Sequence, residues 1–437
     1  MPQLLDRRLK QRYRQMVEEH AAPAQRLAAG LRSLPSGEGA LAATMGAYRF
    51  LNNDAVALPH LAQPLWAAAR DAVKQHCERM ALVVHDWSKL NFYRHQRKQN
   101  RLPSDRSGWP EGYDIFTTLV VSDREGCPLA PVGLSLAAMD GVHCTRSYQP
   151  RPRLSPLDEL TAAIEAAEGQ LPRPVVHIID AEADSLAYYR QWNSQGWLFL
   201  TRCDDRLVRS GQRRQKCSAW QAELGAQGAF RQVRPVQYHG QSAQQWVAEM
   251  RVTLTGPGYL HRPAQKKKTA VAGPPLELRL IIAEVRDPAG AVLATWFLLT
   301  NLSSTIDDAT IALWYYWRWN IESYFKLLKS AGMDVEEWRQ TTPAAITRRL
   351  LIASMACVLV WQIAASHTPP GEEMKHLLIR LSGRQMRHGK PFTKPALLAG
   401  LWVFLAMLHT LEKYTPADLH QLAKSTLPQI RAGPPAR

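Results

Sequence analysis

The stretch Val175-Val-His-Ile-Ile-Asp180 decides the fold that this chain is expected to adopt. It is a short, mostly apolar run with β-branched residues, introduced by Pro172 and Pro174, and this pattern predicts a buried strand. Ala81-Leu-Val-Val-His-Asp86 has the same pattern, again with an aspartate directly after the strand. An acid at the exit of a buried strand is well placed to hold a metal ion at the sheet edge. A turn or helix cap explains either aspartate alone equally well.

A third acid lies in the aromatic segment Trp314-Tyr-Tyr-Trp-Arg-Trp-Asn-Ile-Glu-Ser-Tyr-Phe-Lys-Leu-Leu-Lys329. One helix through this segment would place Tyr315, Arg318, Glu322 and Lys329 within an arc of roughly 60°. Charged residues on a helix usually form a solvated face. Here an adjacent apolar stripe would dock on a core. A carboxylate can hold a metal ion, while a phenol, a guanidinium and an ammonium can grip phosphate oxygens.

The spacing Tyr-x2-Arg-x3-Glu-x6-Lys resembles the signature of the IS-four family of bacterial DDE transposases, and the resemblance covers roughly residues 40–363. It implies that Asp86, Asp180 and Glu322 are the catalytic acids and metal ligands. It also implies that Tyr315, Arg318 and Lys329 position DNA phosphates. In this family only the first acid of a stretch such as Asp180-Ala-Glu-Ala-Asp184 binds metal. The charge preference of a helix N-terminus explains the other two acids of that stretch.

Three carboxylates without a cysteine or histidine partner favour Mg²⁺, with Mn²⁺ as a substitute, over zinc. Two such ions would activate the attacking water or hydroxyl and stabilise the departing oxygen. His85 precedes Asp86, but side chains alternate along a strand, so we expect His85 on the opposite side of the strand, in the core or on the sheet surface.

The order of predicted elements indicates an α/β fold, in which a mixed sheet flanked by helices forms an RNase H-like catalytic core. Runs at 117–122 and 130–136 flank a hairpin signal ending at Gly126, and predicted helices and strands alternate after them. The second and third of the three acids, Asp180 and Glu322, are far apart in sequence. A β-rich insertion at about 203–290 accounts for this separation and resembles the insertion of the same family.

Two tryptophans are candidate DNA contacts through this resemblance. Trp296 matches a family aromatic residue, on the strand leaving the insertion, that stacks on a base flipped out during hairpin formation. Trp319 matches a second aromatic residue near the site. Stacking on an unpaired base contributes about 1–3 kcal/mol. A core position in an apolar strand explains Trp296 equally well.

The regions outside the catalytic domain, which is expected at 76–365, are predicted to be helical. Residues 1–75 resemble a DNA-end-binding domain, with Tyr48 and Arg49 as candidate contacts, and a generic three-helix bundle is the alternative. Residues 366–437 form a helical C-terminal region for dimerisation, or they pack within the monomer. Within the catalytic domain, between Asp86 and the predicted hairpin, lies Arg94-His-Gln-Arg-Lys-Gln-Asn-Arg101, a basic stretch that we expect to be an exposed loop following DNA.

Composition agrees with a polyanionic partner, because 54 Lys and Arg residues against 38 Asp and Glu residues give a net charge of +16. Six scattered cysteines without a C-x-x-C pair favour a reducing compartment. No signal-peptide pattern opens the chain. The apolar runs at 350–365 and 396–411 are short for membrane spans, so we expect them to be buried helices. These features predict a cytoplasmic protein of the bacterial nucleoid that does not act at a membrane.

The sequence therefore predicts a cut-and-paste DNA transposase of a bacterial insertion sequence. It would act as a homodimer on double-stranded DNA, namely the terminal inverted repeats and the target, through metal-dependent nicking, hairpin formation and strand transfer. Two alternatives remain: an RNase H-like nuclease that cuts without joining, and a transposase-derived DNA-binding protein.

Overall fold

The structure is a computed structural model of the chain that describes residues 7–20, 40–104, 111–260, 269–329, 333–385 and 392–426. Two units emerge, one of Met1–Leu61, Leu90–Gly112 and Lys326–Arg437 and the other of Ala62–Lys89 and Tyr113–Phe325. This division does not follow the three domains expected at 1–75, 76–365 and 366–437. The DNA-end-binding and dimerisation roles of the two end regions remain predictions.

A mixed sheet, to which twelve of the strands in the described residues belong, is the frame of the second unit. The strands before the insertion are β1 (Ala81–Asn91), β2 (Gly112–Ser122), β3 (Pro128–Ala138), β4 (Gly141–Cys144), β5 (Val175–Ile179) and β6 (Leu198–Cys203). Their order in the sheet is β4-β3-β2-β1-β5-β6. Strands β2, β3 and β4 pair antiparallel, whereas β5 pairs parallel with both β1 and β6. The predicted hairpin and both predicted acid-bearing strands are confirmed, but β1 continues to Asn91, so Asp86 lies within this strand and not directly after it.

Two helices pack beside these strands, α4 (Pro156–Ala167) and α5 (Leu186–Ser194). Helix α4 begins after Ser155, whose hydroxyl accepts a hydrogen bond from the Asp158 backbone N–H, and Pro156 stands in its first turn. Their apolar faces join the strand residues in one core, in which Trp192 and Phe199 are completely buried. The mixed sheet flanked by helices that was predicted from the sequence is confirmed.

The insertion continues the same sheet, except for its strands β11 and β12, which form a separate two-stranded sheet. It contains β7 (Leu207–Ser210), β8 (Arg213–Lys216), α6 (Cys217–Ala226), β9 (Arg231–Tyr238), β10 (Gln241–Leu254), β11 (Gly258–Leu260), β12 (Thr269–Val271), β13 (Leu276–Arg286) and β14 (Val292–Thr300). Strand β14 pairs antiparallel with β6 on one side and with β13 on the other. The insertion thereby covers the edge that β6 would otherwise expose.

A chain of buried polar side chains crosses the sheet next to Asp86 and Asp180. His85 Nε2 lies 2.9 Å from His177 Nδ1, and His85 Nδ1 lies 3.2 Å from Thr118 Oγ1. The far nitrogen of His177 lies 3.0 Å from Glu168 Oε1. Both imidazoles are completely buried, and burial lowers the pKa of each. His85 therefore satisfies its ring nitrogens inside the sheet, as the alternation of strand residues predicts.

The other unit is helical in most of its described residues. Its elements include α1 (Arg7–His20), α2 (Ala40–Leu51), the start of α3 (Leu58–His76), α9 (Pro343–Ala365), α10 (Pro369–Ser382), α11 (Lys394–Lys413) and α12 (Pro416–Thr426). Buried Arg348 on α9 donates hydrogen bonds to the carbonyl oxygens of Leu51 and Val56 and pairs with Asp54. This side chain ties α9 to the turn between α2 and α3.

Two of the described helices, α9 and α11, are long and apolar enough to cross a membrane by length and composition alone. In α9, 83% of the most apolar window is buried inside the protein, which confirms the expected core helix. The corresponding share for α11 is 28%, and Met407, Leu408 and Leu411 are exposed, so the expectation of a buried helix is wrong for its second half.

We predict that His177→Leu lowers the free energy of unfolding by about 1–3 kcal/mol, because it leaves the buried Nε2 of His85 without a partner. Leucine has a similar size, so a cavity contributes little to the loss. Urea denaturation at pH 7.5, followed by circular dichroism, measures the change. His420→Leu, at an exposed position of α12, is the matched control. Equal midpoints for both variants would show that the histidine pair contributes nothing.

Candidate active site

The aromatic segment around Glu322 forms two helices rather than the one continuous helix expected from its periodicity. Helix α7 (Asp308–Trp317) ends before Arg318, and α8 (Asn320–Lys329) begins two residues later. At the break the Arg318 backbone N–H bonds back three residues to the Tyr315 carbonyl, which tightens the last turn. The Asn320 amide then donates to the carbonyl oxygens of Trp317 and Gly126. The expected single face is thus divided between two axes.

Arg318, in this break, brings the three predicted acids together. Its Nη1 donates to Asp86 Oδ2 at 3.0 Å. Its Nη2 lies 2.9 Å from Glu322 Oε1 and 3.1 Å from Asp180 Oδ2. The Arg318 side chain is only 6% exposed, whereas Glu322 is 46% exposed. Three carboxylates from β1, the end of β5 and α8 therefore converge on one buried guanidinium.

Asp180 has two further side-chain partners. The Tyr315 hydroxyl donates to its Oδ1 at 3.0 Å, so Tyr315 contacts a predicted metal ligand instead of being free for phosphate. Arg202 Nε, on β6, lies 2.6 Å from the same oxygen. The sequence analysis missed Arg202. Arg202 could have been found from its position near the end of the strand next to β5, because side chains there reach the same sheet edge as Asp180.

The acids and their partners shift each other's pKa values. Burial raises the pKa of Asp86 to about 6, although Arg318 and the Trp87 backbone N–H oppose this shift. Burial also raises the pKa of Tyr315, so its hydroxyl keeps its proton and remains a donor. Burial alone would lower the pKa of Arg318, but Tyr315 and the three acids more than compensate and raise it. The guanidinium is thus permanently charged in the presence of its acids.

The other predicted DNA contacts are placed differently. Trp296 is only 6% exposed and packs against Tyr315 with ring centroids 5.8 Å apart, so it offers little surface to a base. Trp319, in the helix break, is 40% exposed and has an edge contact with His239. Both tryptophans line a pocket of about 190 Å³. Tyr48 and Arg49 are exposed on α2 of the other unit.

Lys329 is the last residue of α8 and belongs to the other unit. It is half-buried, and burial lowers its pKa while Glu336 opposes the shift. The structure does not group Lys329 with the acids in the second unit. Its role toward phosphate remains a prediction.

Comparison with known proteins identifies the domain. Residues 153–359 match a family model described as the transposase DDE domain. This part of the chain is similar to a transposase DDE domain. This is an enzyme domain, and the matched residues include Asp180 and Glu322 but begin after Asp86.

No curated protein matches the chain significantly. Among solved structures, the chain is similar to a piggyBac transposase in a synaptic complex with hairpin DNA, with 10% sequence identity and a TM-score of 0.34. The match covers 82% of this chain and only 59% of the piggyBac chain. At this TM-score the similarity supports no further argument.

DDE transposases generally depend on divalent metal ions, and the donor set of this DDE domain fits one. Oxygens of Asp86, Asp180 and Glu322 all face the guanidinium of Arg318 within 3.1 Å. Carboxylates alone are the ligands that Mg²⁺ and Mn²⁺ prefer. In the described part of the chain, no three His, Cys, Asp or Glu residues stand close enough to hold an ion as they are. In this arrangement the guanidinium of Arg318 is the cation that the three acids share.

We predict that Arg318→Met lowers the free energy of unfolding by about 2–4 kcal/mol at pH 8 in a chelating buffer, because three carboxylates lose their shared counter-charge. The loss should be smaller at pH 5. Arg318 opposes the raised pKa of Asp86, so without Arg318 this acid takes up a proton more readily as the pH falls, and the repulsion is relieved. Urea denaturation at the two pH values measures the effect.

Arg318→Lys is the control, because it keeps one positive charge but cannot bridge three acids, and it should fall between the wild type and Arg318→Met. A methionine variant as stable as the wild type at pH 8 would contradict the proposed balance of charges.

Proposed function

We propose that this protein is a cut-and-paste DNA transposase of a bacterial insertion sequence, of the IS-four type. The observation that carries the proposal is the convergence of Asp86, Asp180 and Glu322 on one point at the sheet edge. The transposase DDE domain at 153–359 supports it. The spacing of Tyr315, Arg318, Glu322 and Lys329 supports the finer assignment to this type.

The strand order supports an RNase H-like catalytic core. Three neighbouring strands β3, β2 and β1 are followed by β5 and β6, which run parallel to β1. The first two acids stand at β1 and directly after β5, and the third is carried by a helix after the insertion. The parallel pairing of β1 and β5 runs from Ala81 opposite Val175 to His85 opposite Ile179, so Asp86 and Asp180 follow at the same level, where Glu322 joins them.

The acids would hold the metal ions, with Asp180 positioned by Tyr315 and Arg202. Two bound Mg²⁺ ions, or Mn²⁺ in their place, would activate the attacking water or hydroxyl and stabilise the departing oxygen. The protein supplies no covalent nucleophile in this scheme. Arg318 holds the acids together in the free protein, and a phosphate of the DNA end would be its partner once it leaves them.

The substrates of this proposal are double-stranded DNA ends and a target DNA. The net charge of +16 favours binding to both. Nicking would leave a 3′-hydroxyl, which attacks the opposite strand to form a hairpin and, after reopening, attacks the target. We further propose a homodimer that joins two ends, acting in the cytoplasm at the nucleoid.

We predict that Asp86→Asn, Asp180→Asn and Glu322→Gln each reduce Mg²⁺-dependent nicking by at least about 1000-fold, because each removes a metal ligand, while affinity for DNA changes little. Nicking of a plasmid that carries the terminal repeats of the element is measured beside a gel-shift assay on the same preparations. EDTA should abolish nicking by the wild type.

Glu182→Gln is the matched control, because Glu182 is an exposed acid two residues after Asp180 and should keep most of the activity. Substantial nicking by any of the three variants would remove that acid from the site. Wild-type nicking without any joined product would instead indicate a nuclease, and DNA binding without nicking would indicate a transposase-derived binding protein.

We predict that Trp319→Ala slows hairpin formation by about 10-fold while the first nick is nearly unchanged, because loss of a base stack costs about 1–3 kcal/mol. Only the hairpin step requires an unpaired base. Gels that resolve nicked, hairpin and joined products measure each step. Trp296→Phe keeps the buried packing and should behave as the wild type. Equal slowing of every step by Trp319→Ala would exclude a stacking role.

A further inference from the structure

Most of the basic stretch after β1 is exposed, as the sequence predicts, but Lys98 departs from this expectation. Lys98 is buried, with 7% exposure, and its ammonium donates to the carbonyl oxygens of Trp338 and Gln340. The Gln99 backbone N–H donates to the Thr341 carbonyl at 2.9 Å. This stretch and residues 338–341 belong to the same unit. The basic stretch is therefore anchored along a second chain segment.

Anchoring leaves three arginines around a common pocket. The pocket holds about 610 Å³ and is lined by residues 93–98 with Arg339 and Thr341. Arg94, Arg97 and Arg339 are all exposed. None of the three forms a hydrogen bond or ion pair with another residue in the part of the chain that the structure describes. Glu337, the nearby acid, lies 3.9 Å from His95 instead.

The backbone around the pocket is held in place by contacts that do not involve the three arginines. The Lys98 ammonium lies 4.0 Å from the centre of the Phe92 ring in addition to its two carbonyl partners. Asn100 has a φ of 55°, a left-handed conformation that turns the chain. A backbone held in this way reduces the entropy that is lost when the arginines close on a ligand.

We propose that the pocket formed by Tyr93–Lys98, Arg339 and Thr341 binds phosphodiester groups of double-stranded DNA. Three guanidiniums without acidic partners present planar pairs of donors, which match phosphate oxygens. Tyr93, 67% exposed, adds a phenol at the rim. This inference rests on the proposed function, because it assumes a DNA partner, and it assigns a DNA-binding site outside the acids and the helices that carry them.

Binding to a fluorescent 40-base-pair duplex, followed by anisotropy over a range of salt concentrations, tests the site. Arg94→Gln, Arg97→Gln and Arg339→Gln should each weaken binding about 3- to 10-fold at moderate salt. Each should also reduce the slope of log affinity against log salt by about 1, because one phosphate contact is lost. Arg173→Gln, at an exposed position in the other unit, removes the same charge and should change both values less.

The triple variant Arg94→Lys/Arg97→Lys/Arg339→Lys separates a built site from diffuse attraction. It keeps the charge but loses the paired donors, so affinity should fall while the salt slope is retained. Wild-type affinity in this variant, or effects of the three glutamine variants no larger than that of Arg173→Gln, would overturn the proposal. Mg²⁺-dependent nicking by the wild type is measured in parallel. If the wild type nicks DNA and the pocket variants bind as it does, the pocket assignment fails while the proposed function stands.

Discussion

The guanidinium of Arg318 among three carboxylates is the interaction on which the arrangement of this site depends. Two unit charges 4 Å apart interact with about 4 kcal/mol at the effective dielectric constant of a protein surface. Asp86, Asp180 and Glu322 would therefore repel each other strongly if they met alone. Arg318 offers each acid a nitrogen within 3.1 Å. The acids are thus held together by the charge of the arginine.

Arg318 holds this position because it lies in the break between two helices and not inside one helix. The break between α7 and α8 frees its side chain from a helix surface, and Asn320 stabilises the break through the Trp317 and Gly126 carbonyls. Gly126 has a φ of +66°, and a Cβ there would lie 2.3 Å from the Trp317 ring. The turn between β2 and β3 therefore accepts only glycine at the point where it meets α7. The same break leaves Trp319 exposed.

The sequence predicted the strands and the acids because both follow from local patterns. A buried run ending in an aspartate is visible without knowledge of the fold, and so are the turn at Gly126 and the strand at 292–299. The break at Arg318 was not predictable in this way. Helical periodicity is nearly preserved across a single tight turn, and the forces that open it come from residues distant in sequence, such as Asp86 and Gly126.

The burial of Lys98 was not predicted for the same reason, because its partners are distant in sequence. A basic stretch is usually solvated, so nothing local indicated that Lys98 would find two backbone carbonyls near residue 339. The expectation of a buried α11 failed because apolar composition does not show which faces are covered. The sequence favoured neither a DNA contact nor a core position for Trp296. Its packing against Tyr315 favours the core.

The hydrogen-bonded pair of His85 and His177, next to the acids, helps to fix the register of the sheet. Strands β1 and β5 pair in parallel from Ala81 opposite Val175 to His85 opposite Ile179, so Asp86 and Asp180 follow at the same level. A slip of one residue would turn one aspartate to the other face of the sheet. Apolar residues at 85 and 177 would fit several registers almost equally well. The hydrogen bond between His85 and His177 forms only in one, because in any other a buried imidazole would lose its partner. The polar pair therefore selects the register that brings the two strand acids to Arg318.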